Sequence, residues 1–199
     1  MTTYLLRHGR TSYSAEYRVN GDPRIGVALD SEGVAACRRA HRELPIADLR
    51  SCVVSAFPRT AQTARLLLGK AVTPLVVDAR LNELDYGAFE GRPFLEYGAW
   101  LRESGASRRP DGGQESQLEG ISRMLRGVQA CLELPGPRLI VGHGLLISVL
   151  SWQLSRTEEP VMPPLFPEAP YLRPLAVTDA ELGSMATLLL NEIRGAKWQ

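Results

Sequence analysis

The sequence predicts an α/β fold in which a parallel sheet is covered by helices on both faces. Three observations carry this. Short apolar runs of strand length recur without polar alternation, stretches with helical spacing lie between them, and two of the runs end on His followed by Gly. Unalternated runs suit strands buried on both faces. Regular exchange of strand and helix indicates a layered α/β sandwich.

The first strand is TYLLR, residues 3–7, almost at the first residue. A helix over 31–44 follows, with Asp30 and Ser31 as cap candidates and arginines and a glutamate on one face. CVVS, residues 52–55, is the second strand, and the helix after it, 59–69, ends at Gly69. PLVVD at 74–78 is the third, and a long helix over 116–133 starts at Ser116 and stops before Pro135. RLIVG at 138–142 is the fourth strand, and MATLLLN at 185–191 reads as the fifth. The proline-rich segment 156–174 reads as a loop crossing the surface, because a further strand pattern follows it. The chain shows neither an internal repeat nor a low-complexity tract.

With 199 residues and 44% hydrophobic content the chain can bury a real core, and one domain over 1–199 is expected. The net charge of +1, from 23 basic and 22 acidic residues, gives no global pull toward nucleic acid, so an anion must be met locally. Cys37, Cys52 and Cys131 are odd in number and lack metal or redox spacing, which fits a reducing compartment and argues against structural zinc. The longest apolar stretch, LIVGHGLLISVL, is broken by a histidine and is shorter than the about 18 residues a span needs. A soluble, cytoplasmic protein with no membrane partner is expected.

The chemistry concentrates where strands end. YLLRHGRT closes a buried strand on Arg7 and His8, two groups that are costly to bury, and RLIVGHGLL repeats the pattern with His143. In open α/β sheets ligands collect at the carboxyl ends of strands, near the switch in strand order. The remaining histidine, His41, lies among Arg38, Arg39, Arg42 and Glu43 and reads as solvated. In SAFPRTAQTA, Pro58 heads a helix whose N-terminus favours anions, and Arg59 sits there with the planar fork that suits phosphate oxygens. In LNELDYGAFEG, Glu83 stands in a glycine-punctuated loop of the sort that displays functional side chains. Two arginines, two histidines and a glutamate on one sheet edge would supply phosphoryl transfer without a metal: cations for the equatorial oxygens, an imidazole nucleophile and a proton donor.

In this order LLRHGRT, SAFPRTAQTA, LNELDYGAFEG and IVGHG resemble the motifs of the histidine phosphatase superfamily, the phosphoglycerate mutase-like fold. VNGDPRIGVALDSEG and PDGGQES are weaker echoes, and the likeness covers about residues 3–150. It implies a three-layer α/β/α sandwich with a mostly parallel mixed sheet and a helical insert over the site, here roughly 84–137. It also implies His8 as nucleophile, Arg7, Arg59 and His143 as phosphoryl ligands, Gly144 as a backbone donor, and Glu83 as the acid that protonates the leaving alcohol and then activates water. No metal and no organic cofactor are implied. Ser14 stands where many members carry Asn, so one phosphate contact is expected to be weaker or supplied by water. Asp30 replaces the usual Thr or Ser in ALDSEG. Asn20, Gly21, Tyr86 and Glu115 fall in stretches that often border substrate.

A Cys-based phosphatase does not fit, since Cys52 opens a strand and is separated from Arg59 by six residues; Asp78 lacks the second Asp of a haloacid dehalogenase-like site; and neither a P-loop nor G-x-S-x-G is present. A phosphatase acting on a small-molecule phosphate monoester is favoured over a mutase, because 84–137 is short for a mutase insert, although Arg108 and Arg109 offer cations for a carboxylate or second phosphate. A silent phospho-ligand binding module is the third alternative. The arginines of 102–109 and the aromatic Phe94, Tyr97 and Trp100 suggest a small polar metabolite edged by an apolar wall. Sugar phosphates, phosphoglycerates, nucleotides and α-ribazole phosphate all stay open, and a homodimer is compatible with the sequence.

Overall fold

A computed structural model describes residues 1–44, 48–156 and 161–195. Its elements run β1 (Thr2–Arg7), α1 (Ser12–Ala15), α2 (Ser31–Ala40), β2 (Ser51–Val54), α3 (Pro58–Leu68), β3 (Leu75–Val77), α4 (Phe94–Ser104), α5 (Gln117–Cys131), β4 (Arg138–Gly142), α6 (Gly144–Ser155), β5 (Leu175–Thr178) and α7 (Asp179–Gly195). Two 3-10 turns, Ala79–Leu81 and Gly87–Phe89, lie between β3 and α4. Among the described residues the strands form one sheet in the order β3-β2-β4-β1-β5. The first four are mutually parallel, and β5 pairs antiparallel with β1, Thr2 opposite Thr178 and Leu5 opposite Leu175.

Alternation of side chains along the strands divides the core into two layers. Leu5, Val53, Ile140 and Val177 face α5, α6 and α7, where Ile121, Met124, Leu125, Leu146, Ile147, Leu182 and Leu189 are buried. Leu6, Cys52, Val54, Leu139 and Val141 face the opposite way, onto Cys37 of α2 and Ala64, Leu67 and Leu68 of α3. Each fully buried aliphatic side chain contributes about 1.5–3 kcal/mol. The predicted sandwich is therefore the observed one, with one antiparallel edge strand.

Two expectations change. MATLLLN is not a strand but the middle of α7, whose buried Leu182, Met185, Ala186, Leu189, Leu190 and Ile193 follow helical spacing while Leu188 faces solvent. The run of three leucines hides that period, whereas Thr178 and Glu181 cap each other across the helix start: Thr178 N–H donates to Glu181 Oε2 (2.9 Å) and Glu181 N–H to Thr178 Oγ1 (3.2 Å). The actual fifth strand is LAVT, directly after Pro174. The stretch 84–137 is also not one insert. Its first part, with α4, builds a small cluster of Val19, Leu84, Tyr86, Tyr97 and Leu101 beside the site, while α5 is a layer helix of the main core.

Of the proline-rich segment, 157–160 lie outside the described residues. Residues 161–174 form an irregular strap pinned to the body, with Ser148 Oγ donating to Pro167 O (2.7 Å) and Gln117 Nε2 to Pro164 O (2.7 Å). None of the described helices is long and apolar enough to cross a membrane.

Candidate active site

The chain leaves β1 toward α2 on one face of the sheet and leaves the neighbouring β4 toward α6 on the other. This divergence opens a crevice at the carboxyl ends of the two strands. Arg7 ends β1 and His8 follows it; His143 follows β4 as the N-cap of α6, and Gly144 is that helix's first residue. Arg59 is the second residue of α3, behind Pro58. The close passage of α2 over the β1 exit needs a glycine, because a Cβ on Gly33 would lie 2.1 Å from Arg10 O. Asp30 caps that helix, its Oδ1 accepting from Gly33 N–H (2.7 Å).

Arg59 ties the site together. Its Nε donates to His8 Nε2 (3.0 Å), Nη1 to Asn20 Oδ1 (2.5 Å), and Nη2 to Asn20 O (3.1 Å) and His143 Nδ1 (3.1 Å). A guanidinium has no acceptor, so both rings must accept from it. His8 is therefore protonated on Nδ1, which donates to Gly9 O (2.7 Å), and His143 on Nε2, which donates to Ser55 Oγ (2.8 Å). The rings stand edge to face with centroids 5.3 Å apart. His8 is 4% exposed and His143 fully buried.

Desolvation, reinforced by the Arg59 charge, holds both imidazoles well below their ordinary value of 6.5 and keeps them neutral. Burial also lowers Arg59, to about 10, against the opposing pull of Glu83, and leaves it charged at neutral pH. Glu83 moves the other way: desolvation raises its carboxyl above 4.5, although Leu84 N–H donates to its Oε1 (2.9 Å) and the arginines oppose the rise. Burial pushes the Cys52 thiol up to about 12, which makes it inert.

The two histidines give a stability prediction with a definite sign. Unfolded histidine binds a proton near pH 6.5 and folded His8 and His143 do not, so the unfolded state carries more protons as pH falls below 6.5 and folding stability drops. Glu83 opposes this from above its ordinary 4.5, one group against two. The thermal midpoint is expected to fall from pH 7.5 to pH 5.5, read by differential scanning calorimetry. A flat or rising midpoint would contradict buried neutral histidines.

Arg7 lies on the other side of the pocket, 4.0 Å over the Tyr171 ring. Its Nη1 donates to Glu168 Oε1 (2.6 Å) and Ala169 O (2.8 Å), both on the strap, while its Nε is buried without a partner. Arg7, His8, Arg59, Glu83 and Gly144 line a common cavity of about 200 Å³, and Ser14, Asn20 and Tyr86 border it too. His143 stands behind it, against Arg59 and Ser55.

The other expected contacts settle differently. The Ser14 hydroxyl is engaged in the cap of α1, accepting from Thr11 N–H (2.9 Å). Asn20 holds Arg59. Gly21 and Glu115 do not line this cavity but a neighbouring groove; Gly21 N–H donates to Glu90 Oε2 (2.6 Å), and Glu115 pairs with Arg123 (2.5 Å). Gly21 is required by packing, since a Cβ there would lie 1.9 Å from Leu84 O. Tyr86 is buried and stacks edge to face on Tyr97 at 4.9 Å. Ser55, Tyr171, Glu168 and Glu90 were not among the expected residues. Ser55 had a signal, as a polar residue directly after a buried strand.

Fold and cavity define an α/β protein with two histidines and two arginines gathered at the point where β1 and β4 diverge. The family profile described as histidine phosphatase superfamily (branch 1) matches residues 3–166, and the chain belongs to that superfamily. It is 33% identical over 162 residues to the probable phosphoglycerate mutase GpmB of an Enterobacter species, covering 75% of this chain and 73% of that protein. Among solved structures, a Thermus thermophilus phosphoglycerate mutase aligns with TM-score 0.65 at 27% identity, over 89% of this chain and 92% of its own. A mycobacterial glucosyl-3-phosphoglycerate phosphatase, solved with VO3, aligns with TM-score 0.63 at 26% identity, over 77% and 81% of the chains. Phosphatases and mutases thus both occur among its relatives.

Proposed function

We propose that the chain is a metal-independent phosphatase that hydrolyses a small-molecule phosphate monoester through phosphorylated His8. The observation that carries this reading is the His8 tautomer: Gly9 O holds the Nδ1 proton and leaves Nε2 unprotonated, its lone pair accepting from Arg59 Nε–H until a substrate oxygen takes that donor. Phosphoryl oxygens would take the donors of Arg7, Arg59 and the Gly144 N–H at the start of α6, with Arg59 Nε turning from His8 to an oxygen. As the Nε2–P bond forms and the ester P–O bond breaks, protonated Glu83 gives its proton to the departing alcohol. Its carboxylate then takes a proton from water, which attacks phosphorus and releases phosphate, restoring His8 and protonated Glu83.

Hydrolysis is favoured over mutase chemistry because the two cations that the sequence offered for a second anionic group lie outside the cavity. Arg108 and Arg109 are exposed and do not line the cavity, and Arg109 is bound to Glu119 (2.6 Å).

Turnover of para-nitrophenyl phosphate across pH tests the proposal. The pH profile of kcat/KM is expected to have an acid limb below pH 6.5, where His8 protonates, and a basic limb above pH 4.5, where Glu83 loses its proton. Activity is expected to persist in excess chelator. No turnover at any pH would favour a phospho-ligand binding protein, and a metal requirement would remove the mechanism.

A further inference from the structure

We infer that the alcohol released is uncharged and carries an apolar, ring-sized body. This inference rests on the phosphatase reading of the cavity and concerns the wall opposite the phosphoryl end. Beyond Arg7 and Arg59 that wall is built from Tyr13, Tyr17, Phe94, Tyr97, Leu165 and Phe166. Phe94 and Tyr17, both in this lining, stay 41% and 67% exposed, which leaves aromatic surface for a ligand to cover. The cavity of about 200 Å³ must also take the phosphoryl group, so the space left for the alcohol is no more than one ring needs, since about 150 Å³ holds benzene.

Charge sets the second half of the inference. The other cation lining the cavity, Arg18, is already engaged: Nε donates to Gly91 O (2.5 Å), Nη1 lies 3.6 Å from Glu16, and the guanidinium sits 4.8 Å over the Tyr13 ring. The mouth instead carries the Glu168 carboxylate, 57% exposed and paired with Arg7. A carboxylate on the leaving alcohol would therefore have to share Arg18 with Gly91 O and Glu16 and would meet a like charge at Glu168. An apolar ring would find a wall able to cover it.

Non-hydrolysable phosphonates test this without turnover. Calorimetry on the whole chain would compare 2-phenylethylphosphonate, ethylphosphonate and 3-phosphonopropionate. The phenylethyl compound is expected to bind at least tenfold more tightly than ethylphosphonate, with the carboxylated compound no tighter than ethylphosphonate. Phe94→Ala is expected to narrow the phenylethyl to ethyl ratio, and Glu168→Gln to narrow the discrimination against the carboxylate. Equal binding of the phenylethyl and ethyl compounds, or tightest binding of 3-phosphonopropionate, would overturn the inference. The corresponding phosphate esters, whose alcohols are of similar acidity, separate this from the reaction itself. Selective phosphonate binding without hydrolysis of any ester would remove the phosphatase reading and leave the pocket chemistry intact.

Discussion

His8→Ala is expected to lower kcat/KM for para-nitrophenyl phosphate by about 10⁴-fold or more, the scale on which hydrolases feel loss of a covalent nucleophile. The Nε2 lone pair has no substitute in the cavity. His143 is fully buried behind Arg59 and Ser55 and does not line the cavity, and the Cys52 thiol is too basic and wholly buried. The variant should stay folded, since it removes one ring and leaves Arg59 held by Asn20 and His143. Brief mixing with labelled substrate and denaturing quench should trap acid-labile phosphate on the unaltered chain and none on the variant. Undiminished turnover by the variant would exclude His8 as nucleophile.

The largest loss of stability is expected at Arg138, far from the cavity. Its side chain is fully buried at the start of β4, where Nη1 donates to Thr3 Oγ1 (2.8 Å) and Asp179 Oδ1 (2.7 Å). Nη2 donates to Leu134 O (2.7 Å) and Leu132 O (3.3 Å). One guanidinium thus joins β1, β4, the end of the α5 segment and the first residue of α7. Arg138→Met takes a donor from Asp179, Thr3 Oγ1 and two carbonyls, although Asp179 keeps the Thr3 hydroxyl (3.1 Å) and the Met1 ammonium (3.4 Å); breaking a buried pair costs about 3–5 kcal/mol. Asp179 keeps 24% exposure and can recover some hydration, which puts the loss near the lower end. At roughly 2–4 °C per kcal/mol for a chain of this size, the thermal midpoint should fall by about 6–12 °C. A shift under about 2 °C would mean that the network contributes little.

What was legible beforehand divides by distance along the chain. Strands β1, β2 and β4 announce themselves as apolar runs, and the residues that leave them, Arg7, His8 and His143, are set by the next peptide bonds. Arg59 was readable because Pro58 marks a helix start. Glu168 and Tyr171 were not, since nothing local in a proline-rich strap says that it returns more than 160 positions to Arg7. Asn20 illustrates a subtler limit. Its neighbourhood was identifiable, but that its amide would hold Arg59 depends on the approach of α3. The error at MATLLLN had a readable cure, because TDAE is a capping box, and a helix beginning at 179 cannot contain a strand at 185–191.

The strand order has a consequence for how the chain is made. β1, the first of the five strands in chain order, sits between β4 and β5, and among the described residues it pairs with nothing encoded before residue 138. Arg7 and His8 therefore lie at the end of a strand with no sheet partner until residue 138 has emerged, and the sheet is finished only when residue 178 has emerged. Such non-local pairing slows folding, because loop-closure entropy must be overcome before the contacts form. Until then the apolar YLL segment is an unpaired strand in search of neighbours. Assembly of the cavity thus waits on the most distant pairings of the sheet, and truncation before β5 would remove a neighbour of the strand that carries His8.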